Sequence, residues 1–286
     1  MSNKNKAILL MILSSLGFAL MSTFVKLSGD LPSVQKSFFR NFVSLIVAIY
    51  IILKSKDSFI GKKENRKFLL GRALCGTLGI LANFYAIDNL ILSDANMLNK
   101  LSPFVVIICS FLFLKEKINR VQIGSLLIAF LGVLFIVKPS FSSEMIPSII
   151  GILSAVFAGA AYTFVRFLGG KEKAPTIVFV FSAFSCLFTL PLMIINFTPM
   201  SFKQVSLLLC AGVFASISQF SLTAAYKYAP AKEVSIYDYT QIIFAAVLGF
   251  IVFDQIPDSY SIIGYAIIIG SGITMFIYNN ISLSKS

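Results

Sequence analysis

The chain has 286 residues, 57% of them hydrophobic and only 13% charged, with a net charge of +12 and a mean hydropathy of +0.89. A soluble domain carries about 25% charged residues, so this composition excludes an ordinary water-soluble fold and points to a chain embedded in a lipid bilayer. The basic excess is no nucleic-acid signal, because its residues gather in short loops between apolar runs, where they set orientation.

Read for helices of about 20 residues, the length that crosses a bilayer, the chain divides into ten apolar segments. These are 7–25, 37–53, 67–87, 95–114, 121–137, 147–168, 175–195, 205–225, 234–253 and 259–278. No small-residue cleavage site precedes Lys26, so the first segment is expected to be a retained helix and not a signal peptide. With ten spans, one side collects Lys4 and Lys6, then Lys54, Lys56, Lys62, Lys63, Arg66, Lys67 and Arg72, then Lys115, Lys117 and Arg120, then Lys171 and Lys173, then Lys227 and Lys232. The other side holds Asp30, Asp88 and Asp258 and few bases. The positive-inside bias therefore predicts both termini in the cytoplasm, and the lysine-, isoleucine- and asparagine-rich usage suggests a bacterial inner membrane.

An internal repeat runs through these segments. Thr23-Phe24-Val25-Lys26 matches Thr163-Phe164-Val165-Arg166, Leu13-Ser14 matches Leu153-Ser154, and Gly124 and Gly132 match Gly264 and Gly272, all at a shift of about 140 residues. The boundary falls in 139–146, dividing the chain into 1–138 and 147–280. Five spans in each half turn the second half over relative to the first, which is the inverted-repeat plan of secondary transporters.

Two segments open on polar residues. Asp94 to Pro103 carries Asn96, Asn99, Lys100, Ser102 and Pro103, and Glu233 to Gln241 carries Ser235, Tyr237, Asp238 and Gln241. Ionisable and amide groups at membrane depth usually face a bundle interior or a watery cavity. At helical spacing Asn96, Asn99, Lys100 and Pro103 share one face. Pro103 also frees a carbonyl one turn back. Helix-to-helix glue is the competing reading of the asparagines, and snorkelling to the outer headgroups that of Lys100. If both segments are unbroken helices, Lys100 enters from outside and Asp238 from the cytoplasm, so the two charges are expected roughly 12 Å apart along the membrane normal rather than paired. The expected site takes Asn96, Asn99, Lys100, Tyr85, Gln219, Tyr237, Asp238 and Gln241 as substrate-binding residues, with Asp238 as the proton-coupling candidate.

Zinc is excluded by the absence of histidine and of paired cysteines; Cys75, Cys109, Cys186 and Cys210 lie singly in apolar runs and are expected as buried apolar residues. No Gly-x-Ser-x-Gly and no phosphate-binding Gly-rich loop is present, so no catalytic residue, metal or cofactor is expected, and ATP hydrolysis by this chain alone is not. An integral membrane enzyme acting on lipid-type substrates and a facilitative channel remain as alternatives to a transporter. The expected partners are a small-molecule substrate, the bilayer, and protons or a counter-substrate, without nucleic acid; a homodimer is compatible with the sequence.

Tyr85-Ala86, Ser93-Asp94-Ala95, Leu101-Ser102-Pro103, Lys115-Glu116 and Gly124 with Gly132 resemble one EamA repeat. Ala225-Tyr226-Lys227-Tyr228-Ala229-Pro230-Ala231, Tyr239-Thr240-Gln241, Phe253-Asp254-Gln255-Ile256-Pro257 and Gly264 resemble the other. The resemblance, across about residues 7–278, is to the EamA family of the drug/metabolite transporter superfamily. It implies an all-α integral membrane protein of ten transmembrane helices, arranged as two inverted five-helix repeats around a central cavity. It further implies transport of small metabolites, often export of amino acids or nucleotide-like compounds. Gln241 and Ile242 stand where the family often has glutamate and proline, Gln255 where it often has an acid, and Lys100 where an apolar residue is common. Substrate choice therefore does not carry over.

Overall fold

The computed structural model describes residues 3–114, 120–137, 145–168, 171–228 and 235–283, and every regular element among them is helical. In chain order these are α1 (Asn3–Leu27), α2 (Ser33–Ser55), α3 (Arg66–Asn89), α4 (Leu92–Asn99), α5 (Ser102–Leu114), α6 (Arg120–Val137), α7 (Ile146–Leu168), α8 (Ala174–Ile195), α9 (Phe202–Tyr228), α10 (Thr240–Phe253) and α11 (Ser259–Leu283). Short 3-10 segments, Lys63–Asn65 and Ser235–Tyr239, precede α3 and α10. A helix satisfies its own backbone polar groups, which is why long apolar runs adopt this form in a bilayer. Among the described residues eight helices are long and apolar enough to cross a membrane, and two shorter apolar helices, Ile123–Val137 and Tyr237–Phe253, accompany them. The chain is thus a multi-pass membrane protein.

Two expected segments differ from their sequence reading. Residues 95–114 form two helices, because Pro103 has no N–H to donate to the Asn99 carbonyl and its ring crowds that carbonyl. Residues 234–253 begin as a tight 3-10 segment before becoming α-helical at Thr240. Residues 139–144, Lys115, Lys117 and Lys232 lie outside the described residues, as do the side chains of Arg166, Tyr226, Lys227 and Ser235.

Packing places α1 against α9 and α3 against α7, α2 against α8, and α6 against α11. At the last of these crossings a Cβ on Gly132 would lie 3.0 Å from the Gly264 carbonyl oxygen, and one on Gly264 would lie 2.7 Å from the Gly132 carbonyl oxygen. These backbones touch because neither residue has a side chain. Gly159 does the same for α7 and α5, where a Cβ would meet Val105 Cβ at 2.5 Å. Small residues permit this close approach, and in lipid it is van der Waals contact that holds helices together.

One end of the bundle is tied by the 56–65 and 171–176 connections. Glu172 Oε1 accepts from the Lys62 amide at 2.8 Å and from Asn65 Nδ2 at 2.7 Å, and Lys173 donates to Asp57. That hydrogen bond, with a second from Ser55, holds the Asp57 carboxyl below its usual range. The opposite end is tied by Gln35, which exchanges two hydrogen bonds with Thr198 (2.8 and 3.1 Å), and by Gln204 Nε2 donating to the Ser28 carbonyl at 3.0 Å. The outer surface is apolar: Phe113 and Ile195 are each 75% exposed, as side chains that face acyl chains should be. Of the free cysteines only Cys186 is fully buried; Cys75 and Cys109 are half-buried, and Cys210 is exposed on α9 beside exposed Leu209 and Val213. The expectation of four buried thiols fails at Cys210 because in lipid an outward apolar thiol incurs no hydration cost.

Candidate functional site

The break between α4 and α5 and the 3-10 segment before α10 meet at the centre of the polar cluster. Lys100 closes α4, its amide donating to the carbonyls of Asn96 (3.1 Å) and Met97 (3.0 Å), and its chain then leaves the helix axis. Its Nζ donates to Asp238 Oδ2 at 2.5 Å, forming a salt bridge. The Lys100 side chain is 9% exposed and that of Asp238 25%. The expected wide separation of these two charges is therefore overturned. It assumed continuous helices, whereas both segments depart from α-helical form where the charges lie. Snorkelling of Lys100 is overturned with it.

Ser15 on α1 completes this cluster. Its hydroxyl lies 3.4 Å from Asp238 Oδ1 and 3.4 and 3.3 Å from the carbonyls of Tyr237 and Asp238. Backbone acceptors of the tight segment thus find a donor on a neighbouring helix, as irregular backbone at membrane depth requires.

The remaining predicted residues divide between two roles. Asn96 is buried and ties three helices together: its Nδ2 donates to Leu92 O at 2.7 Å, while its Oδ1 accepts from Ser22 on α1 at 3.2 Å and from Gln241 on α10 at 2.6 Å. The glue reading describes these amides as they stand. Asn99 is half-buried and donates to Ser154 on α7 at 3.0 Å, tying α4 to a further helix. Tyr237 packs beside the Ala7–Met11–Leu222–Ala225 cluster. Gln219 is half-buried on α9, and Tyr85 is exposed on α3.

Several polar residues outside the expected site also join the helices. Asp94 at the start of α4 accepts from Tyr265 and from Ser261 (3.3 Å), both on α11, and Gln255 Oε1 accepts from the Leu92 amide at 3.0 Å. Lys26 donates to the carbonyls of Ile87 (2.9 Å) and Leu90, capping the end of α3 as a basic residue at a helix C-terminus does. Lys36 pairs with Asp88 at 2.6 Å. Serines carry no charge and occur throughout apolar helices, so the recurrence of Leu13-Ser14 at Leu153-Ser154 pointed to Ser154 but nothing in the sequence marked Ser15.

A bundle of apolar helices, with an ion pair between the α4–α5 break and the 3-10 segment before α10, defines the class: a multi-pass membrane protein with charges inside its bundle. The EamA-like transporter family model matches residues 5–138 and again 145–277, and the chain belongs to that family. It is 36% identical over 265 residues to the pseudopaline exporter CntI of Pseudomonas aeruginosa, covering 92% of this chain and 93% of that one. An uncharacterized transporter of Helicobacter pylori is 28% identical over 274 residues, covering 92% of each chain. A riboflavin transporter of Brucella anthropi is 25% identical over 253 residues, covering 85% and 87%. A crystal structure with 14% sequence identity superposes with a TM-score of 0.68 over 96% of this chain and 97% of that chain, a likeness of fold alone.

Proposed function

We propose that the chain is a secondary transporter that moves a small polar or zwitterionic metabolite by alternating access, in export or exchange, between two inverted halves of five helices, 1–138 and 147–280. The carrying observation is the Lys100–Asp238 salt bridge at 2.5 Å, one charge from each half and each at a point where its helix is broken. Broken helices at a repeat interface are where transporters bind solutes and coupling ions. A zwitterion offers a carboxylate to Lys100 and an ammonium to Asp238, replacing the pair without stranding either charge.

The packing supports the halves. The shift that relates the two repeats exchanges α1 with α7 and α3 with α9, which carries the α1–α9 pair onto α7–α3 and leaves α2–α8 and α6–α11 self-paired. The names of two relatives, an exporter and a riboflavin transporter, support a metabolite substrate. The loop ties support the orientation: the end carrying the lysines of 56–65 and 171–176 lies in the cytoplasm of a bacterial cell with both termini. Asp238 is the proton-coupling candidate, because a carboxylate released from Lys100 can take a proton in its place.

The test is a thermal-stability screen of the detergent-purified protein against zwitterionic, cationic, anionic and neutral metabolites, followed by counterflow in proteoliposomes with the strongest binder. A ligand of the native state raises its melting temperature by mass action. A zwitterion should do so in the wild type and fail in Lys100→Met and Asp238→Asn, with counterflow lost in the same variants. Stabilisation unchanged in both variants removes this site.

A further inference from the structure

Two arginines outside the Lys100–Asp238 cluster have no place in the mechanism so far. Arg40 on α2 and Arg72 on α3 are buried to 4% and 5% exposure. Both guanidinium groups approach the ring of Phe181 on α8, Arg72 Cζ at 3.8 Å from its centroid and Arg40 Cζ at 5.9 Å. Arg40 donates to its neighbour Asn41, which is itself tied to Ser185 at 2.8 Å. Beyond that, Arg40 Nε and both Nε and Nη1 of Arg72 are buried with no protein hydrogen-bond partner. Among the described residues neither arginine is paired with a carboxylate.

This is an unusual combination for the interior of a membrane protein. A guanidinium is never neutral, so it cannot escape burial by losing a proton. Two such charges close enough to repel each other, facing one ring, are compensated only in part by cation–π attraction. Lys26, Lys36 and Lys100, the other buried or half-buried bases of these helices, all have an oxygen partner. Gly76 leaves the room that Arg72 occupies, since a Cβ there would collide with Arg72 Nη1. The aromatic ring holds the two planar forks while leaving three guanidinium nitrogens unclaimed, and a carboxylate, with its several acceptor sites, is the group such forks match.

We infer that Arg40, Arg72 and the Phe181 ring they share form a subsite for a carboxylate of the transported solute. The inference rests on the transporter reading above and deepens it: the favoured solute bears a carboxylate additional to any zwitterionic pair that engages Lys100 and Asp238.

Thermal stabilisation of the purified full-length protein tests this with matched probes at constant ionic strength: succinate against succinamide, and L-glutamate against L-glutamine. The acids should raise the melting temperature more than their amides, and their apparent affinity should fall roughly tenfold to a hundredfold in Arg40→Gln and Arg72→Gln, the span of a charge-assisted hydrogen bond. Gly76→Ala keeps both charges but displaces Arg72 Nη1, and should weaken the acids in the same direction; it decides the matter if neither arginine variant folds. Equal effects of acid and amide in the wild type, the same effect from chloride or inorganic phosphate, or an acid effect retained in these variants overturns the subsite. An acid effect lost in the arginine variants but kept in Lys100→Met upholds the subsite and removes the zwitterion reading. The reverse pattern keeps that reading and removes the subsite.

Discussion

Lys100 and Asp238 are separated by 138 positions in sequence yet share one hydrogen bond of 2.5 Å. Removing one partner of a fully buried ion pair costs about 3–5 kcal/mol, because the survivor is left uncompensated. Asp238 keeps a quarter of its side chain exposed, so solvent lowers that cost, and Lys100→Met or Asp238→Asn alone should each destabilise the protein by no more than about 3 kcal/mol. The double variant should be less destabilised than the sum of the two, with a coupling of about 1–3 kcal/mol. Chemical or thermal unfolding in detergent measures all four forms; strict additivity would mean that the pair contributes no stability. Asn96 illustrates a different principle. Its amide is engaged on both sides, by Leu92 and by Ser22 with Gln241, so it fixes where α4 sits relative to α1 and α10.

At the level of the element, the crossing of α6 and α11 is set by two glycines whose backbones face each other. Gly132→Ala and Gly264→Ala should each force the helices apart and cost about 1–3 kcal/mol, as overpacking does. Gly124→Ala, where a Cβ would meet nothing within 4 Å, should cost little and serves as the control. A comparison of melting temperatures decides, and equal losses at all three positions would contradict the crossing. Here the sequence was informative: apolar length located the membrane helices. The site was legible in part. Polar residues in apolar runs flagged Lys100 and Asp238, but a helical wheel assumes an unbroken helix, and the distance between them followed from that assumption. Pro103 was the sign of the break in the first segment. The 3-10 winding of 235–239 has no such mark, since Ser15, which supplies a donor to its carbonyls, lies in the opposite half of the chain. Arg40 and Arg72 are single bases in two separate apolar segments, and only folding brings both to Phe181.

At the level of the whole molecule, the lysine-rich connections 56–65 and 171–176 join at one end, and Gln35, Thr198 and Gln204 join the other. A C-terminal fusion to a fluorescent protein that folds only in the cytoplasm should be bright, while a periplasm-dependent phosphatase inserted within 196–201 should be active. The opposite pattern of both reporters would invert the molecule. The ion pair has a further meaning on the ribosome. At about 5–20 residues per second, the 138 positions between Lys100 and Asp238 take roughly 7–28 s to synthesise. Throughout that interval the nascent first half must hold a cation in or near the bilayer without its counter-charge, at about 2.5–3.5 kcal/mol if it reaches the centre. The broken helix at Pro103 gives the chain a way to wait: α4 can stay shallow with Lys100 near water, and settle only when the second half delivers Asp238. Pairing of Lys100 with Asp238 is then completed late in translation.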